Sequence, residues 1–123
     1  MNRINKHLKS YRYALRGIYI AFRDENNMTF HLVAAIIVVL LNIGLNISKT
    51  EWLITLLLIG LAWMAEVFNT AIETLADRVT KEQDPLIAKA KDLASGAVII
   101  ICGFAVICAL IIYLPYFLEI IGK

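Results

Sequence analysis

The sequence predicts an all-α membrane protein in which three transmembrane helices follow an N-terminal amphipathic surface helix. Three observations carry that expectation. Of the 123 residues, 60% are hydrophobic and only 18% are charged, with a mean hydropathy of +0.73, more apolar surface than a soluble domain of this length can hide. The apolar residues are gathered into runs over about 30–47, 52–77 and 92–118, each long enough to cross a bilayer as helix. The bases are unevenly placed. Arg3, Lys6, Lys9, Arg12, Arg16 and Arg23 precede the first run, and Arg78, Lys81, Lys89 and Lys91 lie between the second and third, whereas the 48–51 turn holds only Lys49 and the C-terminus only Lys123.

The surface helix, about 3–25, follows from apolar residues recurring at helical spacing. Ile4, Leu8, Tyr11, Leu15, Ile18 and Phe22 are 4, 3, 4, 3 and 4 residues apart with bases between them, the pattern of a helix lying on a membrane. Asp24 and Glu25 close it, and on pattern alone they read as a solvated helix end. The first span, about 30–47, begins behind this long basic segment without a small-residue cleavage pattern, so no cleaved signal peptide is expected. Short basic loops stay in the cytoplasm, which places the N-terminus and the 78–93 loop inside. The formal net charge of +2 is small but asymmetric, and the basic end faces an anionic leaflet rather than nucleic acid.

The second span, about 52–77, ends in EVFNTAIETLAD. At 100° per residue, Glu66, Asn69, Glu73 and Asp77 fall within roughly 80° of one another on the helix surface. This polar stripe is costly, because an ionised carboxylate near the bilayer centre costs about 2.5–3.5 kcal/mol even on the lenient insertion scale. A stripe that only packed helices together would pair its acids with Lys89 or Lys91 and use Asn69 for amide hydrogen bonds, but one acid or one amide would serve that purpose. Carboxylates with an asparagine suit a hard cation such as Mg²⁺, which takes one or two carboxylates plus phosphate oxygens.

The third span, about 92–118, opens within AKAKDLASGAV at 88–98. Here Lys91 can meet a phosphate and a helix N-terminus adds free N–H groups. Ala94, Ser95, Gly96 and Ala97 are small enough for a neighbouring helix to come close. Cys102 and Cys108, six apart, form neither a redox CxxC nor a metal set and read as small apolar fillers. With no internal repeat and no linker, residues 1–123 are expected to form one domain. The chain has no GxxxxGK[ST] loop, GxGxxG turn or HRD/DFG set, so phosphoryl transfer here needs another scaffold. A proton- or cation-coupled transporter is a rival of another class, but it would want acids near mid-membrane and usually repeats.

E-V-F-N-T-A-I-E-T-L-A-D, followed by A-K-D-L-A-S-G-A-V, resembles the signature of the prokaryotic diacylglycerol kinase family of small membrane lipid kinases. The resemblance runs over nearly the whole chain and includes Arg16-Gly17 and Glu25. It implies a homotrimer in the bacterial cell membrane whose active sites are shared between subunits and which transfers the γ-phosphate of MgATP to a lipid alcohol at the cytoplasmic face. It further implies that Glu66 is the general base and that Glu25 and Glu73 hold Mg²⁺, which replaces the solvated-end reading of Glu25. Asn69, Asp77, Lys91 and Asp92 would complete the ATP site, with Tyr13, Glu82, Gln83 and Asp84 nearby. Lys6, also expected near ATP, and Ala14 stand where Gram-negative members typically have arginine and serine. Ala14, Ile18, Phe22 and Met28 are expected to wall the lipid groove. N-N-M-T-F-H at 26–31, E-W at 51–52 and I-I-Y-L-P near the C-terminus resemble the Gram-positive branch, which prefers undecaprenol, so undecaprenol is the expected acceptor and diacylglycerol the alternative. His31 fits this branch, or equally an interfacial histidine with no role.

Overall fold

The computed structural model describes residues 2–123, which form four helices: α1 (Arg3–Asp24), α2 (Asn26–Leu45), α3 (Lys49–Val79) and α4 (Pro85–Ile121). By length and composition α2, α3 and α4 can each cross a membrane. Only helices or closed barrels satisfy every backbone polar group in hydrocarbon. Outward-facing residues such as Leu57, Ile99 and Ile111 remain exposed on the single chain, as suits surfaces that meet lipid or other subunits.

The connections are short and chemically explicit. Glu25 alone separates α1 from α2. Its backbone is extended at φ −105°, ψ 118°, its N–H closes α1 on the Ala21 carbonyl, and its own carbonyl accepts from Thr29 N–H. Its carboxylate does not cap α2. Asn46 ends α2 in the left-handed region at φ 51°, which asparagine tolerates better than most residues. Ser48 then opens α3 in a capping box with Glu51. This three-residue turn folds α3 back along α2.

At the other end, Asp84 caps α4, its Oδ1 accepting from Leu86 N at 2.9 Å and Ile87 N at 3.1 Å, with Pro85 in the first turn. This corrects the sequence expectation of a loop to residue 93, because only 80–84 are non-helical. Lys91 and Asp92 therefore sit in the second turn of α4. The free N–H groups expected beside Lys91 lie a turn earlier, where Asp84 satisfies two of them.

The most extensive packing is between α3 and α4. Near the α2–α3 turn, Ile47, Ile112 and Tyr113 form a small apolar core against Leu41, Leu45 and Trp52. A buried polar clasp ties the three long helices there. Asn42 Nδ2 on α2 donates to Thr55 Oγ1 on α3 at 2.9 Å, and the Tyr113 hydroxyl on α4 donates to Asn42 Oδ1. Replacing Asn42 by leucine strands the Tyr113 hydroxyl in an apolar seam, so Asn42→Leu is expected to destabilise the protein by about 1–2 kcal/mol, read as detergent-micelle unfolding. Combining it with Tyr113→Phe should cost less than the sum of the single changes, because both remove the same bond.

Candidate active site

The polar stripe of α3 is a single face with graded burial. Glu66 is 2% exposed and Asn69 5%, Glu73 is half-buried and Asp77 exposed. The gradient follows from topology, since the stripe begins where α3 is flanked by α2 and α4 and ends beside the 80–84 connection. Its polar groups are tied to one another and to α4. Asn69 Nδ2 donates to Glu73 Oε1 at 3.2 Å, Ser95 Oγ donates to Asn69 Oδ1 at 3.4 Å, and Lys91 Nζ meets Asp77 Oδ1 at 2.6 Å. The small-residue segment permits this approach, with Ala94 buried next to Ser95. The contacts anticipated for a purely packing stripe are therefore present at Asn69 and Asp77, but neither uses Glu66.

Glu66 meets α2 instead. Its Oε2 lies 3.6 Å from His31 Nε2, both side chains being buried. This is contact short of a hydrogen bond and within ion-pair range. His31 is itself held, for Trp63 Nε1 on α3 donates to its carbonyl oxygen at 3.4 Å and Phe30 packs against its ring edge-on with centroids 5.7 Å apart. Sequence reasoning left His31 without a partner. The available signal was its register, because Met28, His31, Ala35 and Asn42 are spaced along one face of α2 and are its buried residues.

A cavity of about 290 Å³ lies between α2, α3 and α4, with His31 in its wall together with Ala34, Ala35, Ile59, Ala62 and Cys102. Its other polar wall residues are committed. The Thr55 hydroxyl bonds the Glu51 carbonyl at 3.0 Å and the Tyr113 hydroxyl bonds Asn42. On α1, Phe22 packs edge-on against Trp63 with centroids 5.0 Å apart, which brings α1 close to the start of the stripe. Ile18 is exposed and Phe22 half-buried. Met28 is fully buried at 0%, so in this chain it has no surface with which to wall an open groove.

The remaining expected residues lie around the α3–α4 connection and on α1. Lys6, Tyr13, Ala14, Glu82, Gln83 and Asp92 are exposed, and Asp84 is engaged as a helix cap. Asp24 is paired with Arg23, whose guanidinium bonds it at 2.6 and 2.8 Å and holds its carboxyl below the usual carboxylate range. That leaves the neighbouring Glu25, half-buried at the α1–α2 break, as the acid of the two without an ion-pair partner among the described residues. Among the described residues of one chain, no three acid, histidine or cysteine side chains cluster closely enough to hold a metal. The oxygen donors Glu73, Asn69 and Asp77 still have the hard character that Mg²⁺ takes when phosphate oxygens share its coordination.

A sequence model of the prokaryotic diacylglycerol kinase family matches residues 12–113. The undecaprenol kinase of Bacillus subtilis (strain 168) is 40% identical over 114 residues, 93% of each chain. The diacylglycerol kinase of Haemophilus influenzae is 31% identical over 93 residues, 76% of this chain and 79% of that protein. That of Escherichia coli K12 is 28% identical over 110 residues, 89% and 90% of the two chains. With a four-helix architecture, three helices long and apolar enough to span, and the signature stripe packed on α4, the chain belongs to the prokaryotic diacylglycerol kinase family.

Proposed function

We propose that this membrane lipid kinase transfers the γ-phosphate of MgATP to undecaprenol, giving undecaprenyl phosphate and ADP, at the cytoplasmic face of the bacterial cell membrane. The observation that carries the site assignment is the graded stripe of α3. Its buried end, at Glu66, adjoins an apolar cavity suited to a lipid chain. Its exposed end, at Asp77 and Lys91, is open to a water-soluble nucleotide.

In the reaction the lipid hydroxyl oxygen attacks the γ-phosphorus, the bond from that phosphorus to the β,γ-bridging oxygen breaks, and ADP leaves. The hydroxyl proton passes to the Glu66 carboxylate, whose burial excludes competing water. Asn69 orients Glu73 through its amide, and Lys91 offers a cation to the phosphates. Asp92 and the exposed Glu82 and Gln83 border the nucleotide. Lys6 and Tyr13 reach it from α1, which lies on the membrane surface with Ala14 and Ile18 turned towards the lipid. Glu25 and Glu73 would hold Mg²⁺, which when bound would neutralise charge on the phosphate oxygens.

One chain supplies too few donors for that ion, so the working unit is a homotrimer in which Glu25 and the α3 stripe of one site come from adjacent subunits. The positive-inside distribution of bases, with α1 and the 80–84 connection at one end of the bundle, supports the cytoplasmic placement. Undecaprenol is favoured over diacylglycerol by the cavity. A diacylglycerol brings two ester groups close to its hydroxyl, and the cavity wall around His31 is built largely of apolar side chains such as Ala34, Ala35, Ile59 and Ala62, so esters buried there would go unpaired at about 1–3 kcal/mol each.

Glu66→Gln is expected to lower kcat by about a hundredfold or more with little change in ATP affinity, because a base acts on the transition state. Glu73→Gln should instead raise the Mg²⁺ concentration needed for half-maximal activity. Near-normal turnover in Glu66→Gln would remove it from the role of base.

Mixed oligomers test the shared site. Glu25→Gln and Glu73→Gln chains, each inactive alone, should regain part of the activity when co-assembled, and no recovery in verified mixed trimers would place both acids in one subunit's site.

The acceptor is tested in mixed micelles at equal mole fraction of each lipid. The value of kcat/KM for undecaprenol should exceed that for diacylglycerol by at least about tenfold, the ratio given by about 1.4 kcal/mol of differential transition-state binding. Equal or greater efficiency on diacylglycerol would identify it as the acceptor.

A further inference from the structure

We propose that His31 is a positioning residue for this kinase: from α2 it fixes the Glu66 carboxylate at the edge of the membrane cavity so that one oxygen stays directed at the incoming lipid hydroxyl. The inference rests on the reading of Glu66 as the base. Its foundation is geometric. His31 Nε2 faces Glu66 Oε2 at 3.6 Å, with the side chains 9% and 2% exposed, and among the described residues it is the one basic side chain within 4.0 Å of that carboxylate.

The arrangement is a two-point clamp between helices. Trp63 and Glu66 are three residues apart on α3 and therefore share a face. Trp63 Nε1 holds the His31 carbonyl at 3.4 Å, while Glu66 meets the His31 ring. Edge contact with Phe30 limits the ring from the other side. A glutamate side chain turns about three bonds, and each freely turning bond spreads the carboxylate over orientations from which it cannot take a proton. Contact at Oε2 removes most of that freedom and leaves Oε1 for the alcohol. His31 also forms part of the cavity wall, with Glu66 against it just outside that wall, so an alcohol at the end of a chain in the cavity would reach Glu66 past His31. The step from 3.6 Å to a hydrogen bond is the tightening that a bound alcohol would favour.

The test uses the full-length protein, purified in detergent, with ATP and undecaprenol as substrates. His31→Leu is expected to lower kcat by about tenfold or more while the KM for ATP stays within about twofold, since the contact acts on proton transfer and not on nucleotide binding. His31→Gln, whose amide nitrogen can reach the same carboxylate oxygen, should recover kcat to within about threefold of wild type. In a Glu66→Gln background His31→Leu should have no further effect on kcat, as expected of a group that works through Glu66. If the leucine variant does not assemble, His31→Asn, whose amide is too short to reach, takes its place under the same thresholds.

A kcat for the leucine or asparagine variant within about twofold of wild type, or a glutamine variant as impaired as either, overturns the proposal, because a residue that only packs helices would give one of those results. Glu66→Gln retaining normal turnover would overturn the assignment of the base itself. Collapse of Glu66→Gln beside an unimpaired His31→Leu would overturn the role of His31 alone.

Discussion

A carboxylate held at 2% exposure between apolar helices, as Glu66 is, is the constraint on which the rest of this architecture depends. Removing a carboxylate from water costs several kcal/mol unless partners compensate, and in a lipid-embedded bundle water is not a general reserve. The chain answers with placement. Glu66 lies on the face of α3 that α2 and α4 both cover, with His31 as its basic neighbour, and the next polar groups of the stripe are spaced so that each is less buried than the last. The acid is thus kept within reach of the aqueous end of the bundle while its own surroundings stay dry.

The same economy shapes how the helices cohere. Lipid is as apolar as leucine, so burying leucine does little to draw helices together, and small residues and hydrogen bonds must do it. The two ends of the bundle use this differently. At the α2–α3 turn, Asn42 donates to Thr55 and accepts from Tyr113, while the Thr55 hydroxyl donates to the Glu51 carbonyl, and Tyr116 bonds Glu51 directly between α4 and α3. At the opposite end the exposed Lys91–Asp77 pair is tight at 2.6 Å, but the buried links are longer, with Ser95 and Asn69 at 3.4 Å and His31 and Glu66 at 3.6 Å. A closed network suits a structural clasp, whereas groups with capacity to spare suit a place where substrates must be received.

Much of this was legible in the sequence because it is local. Hydropathy located the three long helices, and 100° periodicity placed Glu66, Asn69, Glu73 and Asp77 on one face. The start of α4 was misjudged because Lys89, Lys91 and Asp92 read as loop, although Asp84-Pro85 carries the cap-and-first-turn chemistry that begins a helix there. Met28, expected beside Ala14, Ile18 and Phe22 on the groove, is instead buried, because the break at Glu25 starts a new helix whose register turns it inward. The His31–Glu66 contact was beyond any single-helix argument. It depends on how far α2 and α3 slide past each other, which the Asn46–Ser48 turn and the Trp63 bond to His31 set together.

The graded stripe also resolves a problem of phase. A lipid alcohol and ATP occupy different solvents, and a kinase joining them must hold a desolvated base and a solvated phosphate site on one rigid element, because flexibility between the two would cost the alignment that phosphoryl transfer needs. A helix that leaves the membrane provides this without additional structure. Seven residues separate Glu66 from Glu73, about 10 Å along the axis, so on the proposed reading the base and the metal ligand are fixed relative to each other by the backbone while the bilayer boundary passes between the substrates. On that reading, discrimination between lipid acceptors is then left to the cavity beside His31, whose wall includes Ala34, Ala35, Ile59 and Ala62. An ester-bearing headgroup held beside Glu66 would find few partners in such a wall, and a hydrocarbon chain ending in a lone hydroxyl needs none there beyond the base itself.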